Sequence, residues 1–419
     1  MESTIVVQKS WVEVSPDSHF TIYTIPFGIV EYQNKTIVAT IIGDTVISLP
    51  LLNELELLDK KYDTSIFENK YLNDFINLGK NITSTIRKTI IDLLIDTTKS
   101  EKETIKKSFI PLPQVKNLLP IQIGNYTDFY ASKEHATNVG SMFRDPTNAL
   151  LPNWKHIPIG YHGRASSIVV SGTPIQRPNG QFKPVTEPNP IFGASRQLDF
   201  ELEIALILGK NTDLGEIVTI TQAEDYMYGM AIFNDWSARD IQAWEYQPLG
   251  PFLGKNFGSS LSSWIVPMEA LQPFYTPAPV QDVEVLPYLQ QENRQNIDMH
   301  LEVAIASDTF EPHTICRSNH KYLYWTPAQQ VAHHTINGCN ISIGDVYASG
   351  TISGTTPDSY GSMLELAWKG TKPLPMPDGS TRTFLQDGDT VIMKAFCEKN
   401  GMKVGFGELT GKVIPARVI

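Results

Sequence analysis

Cysteine is scarce in this chain: three residues, Cys316, Cys339 and Cys397, far apart and odd in number. That excludes a disulfide framework or a cysteine-built zinc site and suits a reducing compartment, so a cytoplasmic location is expected. Basic residues are also short, 34 Lys and Arg against 45 Asp and Glu, for a net charge of −11. A protein that grips nucleic-acid phosphates is not built this way. No run of 18 apolar residues occurs, so no membrane span is expected, and Met1-Glu2-Ser3-Thr4 does not read as a secretory leader. Charged residues make up only 19%, below the usual ~25%. In their place stand 41% hydrophobic residues, 28 glycines and 28 prolines in 419 positions. This is the composition of a turn-rich globular β protein, too long for one core, with two or three domains expected. The acid excess has two readings, plain solubility or carboxylates gathered around a cation.

The chain changes character near residue 118. Before it, Phe20-Thr21-Ile22-Tyr23 and Thr36 to Ile42 read as strands. Gly43-Asp44 and then Thr45 to Leu49 complete a hairpin. Ile82, Ile86, Ile90, Leu93 and Leu94 then fall at helical spacing. The charge run Glu101 to Lys107 reads as a solvated helix face, and Pro111, Pro113 and Pro120 mark a linker. Beyond it, short apolar runs such as 167–170, 230–233 and 390–393 alternate with glycine turns, the spacing of a large β-sheet or β-roll. Residues 274–298 read as a surface excursion. Gly254-Lys255 fails as a phosphate loop because Gly250 is one position too near and Asn256 replaces the Ser or Thr. His333 and His334 are adjacent and read as structural.

The chemistry-bearing segment is Asp199 to Leu208. On a strand, Glu201 and Glu203 share one face while Phe200, Leu202, Ile204, Leu206 and Leu208 line the other. The acids are tolerable on an edge strand facing water, or with a cation between them. Met230 to Asn234 is a buried-type strand running into Asp235, either a ligand or a partner to the next helix start. Ser237-x-x-Asp240 there reads as a capping box. Asp128 lies among aromatics. Four carboxylates without sulfur or imidazole suit a hard cation, Ca²⁺ or Mg²⁺. Nearby, His135 is a general base or a satisfied histidine. Arg144 is a fork for a substrate carboxylate or a partner for Asp145.

Eight runs stand in order: Asn125–Tyr130, His135–Gly140, Leu151–Trp154, Tyr161–Ser167, Asn234–Gln242, Pro248–Lys255, Ala348–Gly354 and Gly361–Leu366. On these the chain resembles the fumarylacetoacetate hydrolase family, from about residue 20 to the end. The resemblance implies a mainly β fold: a small N-terminal SH3-like domain over 1–118 and a catalytic mixed β-roll over 119–419, assembled as a homodimer. It implies hydrolysis of the carbon–carbon bond of 4-fumarylacetoacetate, a small dicarboxylate β-diketone of tyrosine and phenylalanine breakdown. Asp128, Glu201, Glu203 and Asp235 match the metal ligands, with a second hard cation near Asp235, Lys255 and Ser259. His135 matches the general base and Glu365 the acid that orients it. Lys255 and Gln242 match groups that stabilise developing charge. Tyr130, Arg144, Tyr161, Gln242, Tyr246 and Thr351 match substrate contacts. Two positions depart: Asn125 replaces a commoner Asp, and Ser259 a commoner Thr. The rival readings are an acylpyruvate hydrolase or oxaloacetate decarboxylase of the same superfamily, and a non-catalytic cation-binding β protein.

Overall fold

A computed structural model describes residues 8–59, 61–95 and 97–419. The fold is mainly β, as expected. The predicted hairpin forms as β2 (Lys35–Ile42) and β3 (Thr45–Ser48), turning at Gly43 with φ +55°, and β1 (Phe27–Tyr32) pairs with β2. The 3.6-residue pattern becomes α1 (Lys80–Ile95), which buries Ile86, Ile90 and Leu94, and the charge run falls on α2 (Lys99–Ile105), opened by a Thr98–Glu101 capping box. Phe20–Tyr23 is a turn and not a strand. The Thr24 N–H bonds the Thr21 carbonyl, and the Thr21 hydroxyl donates to the Lys403 carbonyl. Its β-branched and aromatic residues signalled burial, and local turn bonds decided the backbone.

The proline-bearing stretch 111–120 is not a free linker. β4 (Phe109–Pro111) pairs with β3, and Lys116–Asn117 pairs with β1. The sheet also continues past it. β5 (Tyr126–Phe129), β6 (Gly160–His162), β8 (Leu202–Leu208), β9 (Met227–Asp235), β11 (Trp264–Pro267) and β14 (Val346–Ala348) extend it in the order β4-β3-β2-β1-β11-β9-β8-β14-β5-β6. β10 (Ser259–Leu261) branches from β9, and β7 (Leu198–Asp199) pairs separately with Ser237–Ala238. The β1–β11 join is tight: a Cβ on Gly28 would lie 2.6 Å from the Trp264 ring. β12 (His300–Ser307), β13 (Phe310–Asn319), β15 (Thr390–Lys399) and β16 (Met402–Ile414) form a second, five-stranded sheet with Ile175–Gln176.

Alternation along β8 sorts the core. Leu202, Ile204, Leu206 and Leu208 join a cluster with Leu301, Val303 and Met393 of the second sheet. Ala205 and Ile207 join one with Ile86, Ile90 and Ile265. The large sheet is therefore covered on both faces, which is why its central strands are apolar on both. Every residue of β8 is buried, so the edge-strand reading of Glu201 and Glu203 is set aside. Three cysteines are free among the described residues, and no helix there is long and apolar enough to cross a membrane.

Candidate active site

The period-2 rule places three of the four acids. Glu203 shares a face with Ala205, Asp235 with Phe233 and Asp128 with Tyr126, the face that packs toward the N-terminal helices. The antiparallel register Glu203↔Phe233 and the parallel register Ala348↔Asp128 bring the acids to one end of the sheet. There Asp128, Glu201, Glu203 and Asp235, all buried, present carboxylate oxygens within 4.8 Å of one another. At that separation and an effective dielectric of ~20, two ionised carboxylates repel by roughly 3 kcal/mol. The cluster needs counter-charge, and the protein supplies part of it. Lys255 Nζ donates to Glu201 Oε2 and to Asp235 Oδ2 (2.7 Å), and Arg239 Nη2 lies 2.8 Å from Glu201 Oε1. Burial pushes Glu201 up, but Lys255 and Arg239 outweigh it and leave its carboxyl below the ordinary value. For Asp128 and Glu203 the pull of Lys255 is too weak to offset burial. Burial and the neighbouring acids push both well above the usual carboxylate range, and burial raises Asp235 despite Lys255.

Two of these oxygens point to what completes the site. Asp128 Oδ1 and Glu203 Oε1 are buried without a hydrogen-bond partner among the described residues, a costly state for a carboxylate unless a cation takes the lone pairs. The donor set is all oxygen, which fits a hard divalent ion. Surrounding residues hold the remaining oxygens. Ser259 Oγ donates to Asp235 Oδ1 (2.9 Å), the Tyr161 hydroxyl to Asp235 Oδ2 (3.3 Å), and the Gly350 N–H to Glu203 Oε2 (3.0 Å). Glycine is required at 350: φ is +74°, and a Cβ would sit 2.1 Å from the Phe129 carbonyl oxygen. Beside it, the buried Thr351 hydroxyl has no hydrogen-bond partner among the described residues.

The histidine stands on α3 (Lys133–Phe143), whose N-cap Ser132 accepts the His135 N–H. His135 Nδ1 and Glu365 Oε2 are 2.7 Å apart. Glu365 also accepts from Ser353 and Ser362 (both 2.9 Å) and, at Oε1, from Asn138 (2.9 Å). Burial pushes Glu365 up, and His135 with these donors overrides it, so the carboxyl ends below its ordinary value. Tyr130 meets His135 edge-on at 5.3 Å between ring centres. With Nδ1 engaged by Glu365, Nε2 is the nitrogen through which His135 can transfer a proton.

Of the expected residues, the structure brings together Asp128, Tyr130, His135, Tyr161, Glu201, Glu203, Asp235, Lys255, Ser259 and Glu365. Gln242 lies on α4 (Arg239–Glu245), its Oε1 accepting from Arg239 Nη1 at 3.3 Å. Arg144 and Tyr246 are exposed. Arg144 Nη2 donates to the Ala149 carbonyl and the Tyr246 hydroxyl accepts from Gln247, with no bond to the acidic cluster among the described residues. The capping box at Ser237-x-x-Asp240 does not form. Asp240 instead accepts from Ser195 Oγ and the Arg196 N–H, and Ser237 donates to the Asp235 carbonyl. Sequence reasoning missed Arg239 and its partner Asp199 (Nε to Oδ2, 2.8 Å), and Asn138, Ser353 and Ser362 around Glu365. His333 and His334 are structural, on α5 (Pro327–Thr335), bonding Tyr288 and Thr127.

Comparison with known proteins agrees with this geometry. The families described as fumarylacetoacetase N-terminal and fumarylacetoacetate (FAA) hydrolase C-terminal match residues 23–120 and 125–414. Fumarylacetoacetase of Dictyostelium discoideum is 52% identical over 98% of this chain and 99% of its own length, and that of Homo sapiens 47% over 97% and 99%. Among solved structures, fumarylacetoacetate hydrolase from Exiguobacterium antarcticum matches at TM-score 0.53 with 16% identity, covering 94% of this chain and all of that one, a likeness of fold. On these matches over nearly its whole length, the chain belongs to the fumarylacetoacetate hydrolase family.

Proposed function

We propose that this chain hydrolyses 4-fumarylacetoacetate to fumarate and acetoacetate, the last step of tyrosine and phenylalanine breakdown. The observation that carries the reading is the pairing of His135 with buried Glu365 beside four buried carboxylates, in a chain whose full-length relatives are named fumarylacetoacetases. Asp128, Glu201, Glu203 and Asp235 would hold the ion, Ca²⁺ or Mg²⁺, with Lys255 and Ser259 beside Asp235. When bound, the ion polarises the diketone oxygens and steadies negative charge on them.

The remaining work falls to side chains. His135 Nε2 takes a proton from water as its oxygen bonds the carbonyl carbon next to the fumaryl double bond. Glu365 holds the ring and balances the imidazolium charge that results. The bond from that carbon to the acetoacetate methylene then breaks, its electron pair leaves as an enolate, and a returned proton makes acetoacetate. Lys255 and Gln242 supply donors where oxygen charge grows, an effect worth ~3–4 kcal/mol for a well-placed donor. Tyr130, Tyr161, Thr351, Arg144 and Tyr246 position the substrate, the last two as the solvent-side contacts. Residues 119–419 carry catalysis, 1–118 form the SH3-like domain, and the working unit is a cytoplasmic homodimer, a location that three free cysteines support. The test is loss of fumarylacetoacetate absorbance with and without chelator, beside acylpyruvate turnover and elemental analysis. Decay indifferent to chelator refutes the metal role, and faster acylpyruvate turnover refutes the substrate.

A further inference from the structure

Asp199 is a fully buried carboxylate at the end of β7, and three hydrogen-bond donors meet its two oxygens. Oδ1 accepts the Met363 N–H (2.7 Å), while Oδ2 accepts the Leu364 N–H (3.0 Å) and Arg239 Nε (2.8 Å). Its two oxygens thus accept three hydrogen bonds, two from backbone N–H groups and one from a guanidinium. Met363 and Leu364 are the first two residues of α6 (Met363–Leu366), a helix of one turn whose third residue is Glu365. So short a helix does not hold its own position, and its first N–H groups have no partner inside it. Asp199 takes two of them, and Ser362 Oγ takes that of Glu365 (3.3 Å). Beyond its Nε, Arg239 presents Nη2 to Glu201 and Nη1 to Gln242.

We propose that Asp199 is the positioning residue that ties the two halves of the site together. It fixes the helix that aims Glu365 at His135 and, through Arg239, the cation that flanks Glu201 and Gln242. This rests on the hydrolase reading above and extends it to a residue that touches neither substrate nor ion. The fold does not depend on the same bonds. The Leu202 N–H bonds the Gly361 carbonyl and the Leu385 N–H the Leu198 carbonyl, so the backbone around residue 199 is held independently of its side chain.

The test is Asp199→Asn in the full-length protein. The shape is kept, but one of the two acceptor atoms becomes an NH₂ that must face a donor. Expected are a fall in kcat of about 10- to 100-fold and displaced imidazole signals of His135 in spectra of ¹⁵N-histidine-labelled protein, assigned with His135→Gln. A merely structural residue would lower the active fraction without moving those signals in the folded protein. Unmoved signals overturn the proposal, and so does a kcat within about two-fold of the parent. If Asp199→Asn does not fold, Arg239→Lys keeps the charge beside Glu201 but gives up the fork to Asp199, and the same signals decide. Should the parent leave fumarylacetoacetate intact, the hydrolase reading fails, while the imidazole signals still decide whether Asp199 sets the His135–Glu365 pair.

Discussion

Glu365→Gln isolates what a single charge contributes. Oε2 of Glu365 accepts from His135, Ser353 and Ser362, and Oε1, among the described residues, from Asn138. Glutamine has one acceptor and one NH₂, so the least costly arrangement keeps its oxygen at the Oε2 position. The NH₂ then faces Asn138, whose amide can turn to present oxygen. The ring stays in place and Nδ1 keeps an acceptor. What is lost is the negative charge opposite the imidazolium that forms as water is deprotonated. A buried opposite charge at hydrogen-bond distance is worth about one to three decades in such an equilibrium, roughly 1.4–4 kcal/mol. The expected result is a kcat/KM about 10- to 1000-fold below the parent, with metal content and melting temperature close to parental. This is milder than the ~10⁴ lost where an amide also imposes the wrong tautomer on a catalytic histidine. Initial rates of fumarylacetoacetate decay on metal-replete protein measure it. Parental kcat/KM in a folded, metal-loaded variant would falsify the assignment of His135 and Glu365 as an acting pair.

Other outcomes follow from the same contacts. Asp128→Asn removes an unpartnered carboxylate oxygen and one repulsion of roughly 3 kcal/mol. It is expected to raise the melting temperature of chelated protein while weakening metal binding by about 10- to 100-fold or more, and unchanged affinity by calorimetry would contradict it. Asp128, Glu203 and Asp235 have raised folded-state pKa values, so above the ordinary carboxylate range the folded, metal-free protein binds more protons than the unfolded chain. Its stability falls as pH rises through the raised values, whereas Glu201, held low, contributes with the opposite sign only below ~4. The gain in melting temperature on adding Mg²⁺ or Ca²⁺ is therefore larger at pH 8 than at pH 5, and an equal or smaller gain at pH 8 counts against the buried cluster. Arg87 donates to the carbonyls of Tyr23, Thr24 and Ile25 and pairs with Glu269 (3.3 Å). Arg87→Met leaves those groups unmatched and is expected to cost about 3 kcal/mol of stability with kcat unchanged. A parental melting temperature would show that the clamp contributes nothing.

The legible parts of this molecule are those whose signal is local. The hairpin turning at Gly43-Asp44, the α1 stripe and the alternation of Glu201 and Glu203 with Leu202 and Ile204 follow from backbone periodicity, and the structure reproduces each. Where local chemistry competes with tertiary partners, the sequence misleads. Ser237 and Asp240 have capping-box spacing, but Ser195 and Arg196, more than 40 residues away, take Asp240 instead. Arg239 sits one residue from that false cap and carries no signal of its own, since its meaning comes from Asp199 and Glu201, about 40 residues earlier in the chain. Ser353 and Ser362 were equally silent, two small hydroxyls that matter only once Glu365 is buried between them. The continuation of the sheet past residue 118 rests on Phe27↔Ile265, a pairing that no window along the chain contains.

That pairing sets a schedule for biosynthesis. The edge of β1 at Phe27 and Gly28 leaves the ribosome long before Ile265 and Trp264, which complete it. At about 5–20 residues per second the nascent chain carries an unpaired, apolar edge for on the order of tens of seconds. Until then Gly28 has no Trp264 ring to cover it, and the neighbouring hairpin displays Val38, Ile41 and Ile42 on an incomplete sheet. An unpaired apolar edge is a template for other chains. Slowed translation between residues 120 and 265 is accordingly expected to lower the yield of folded protein, read as the share that stays in solution after expression.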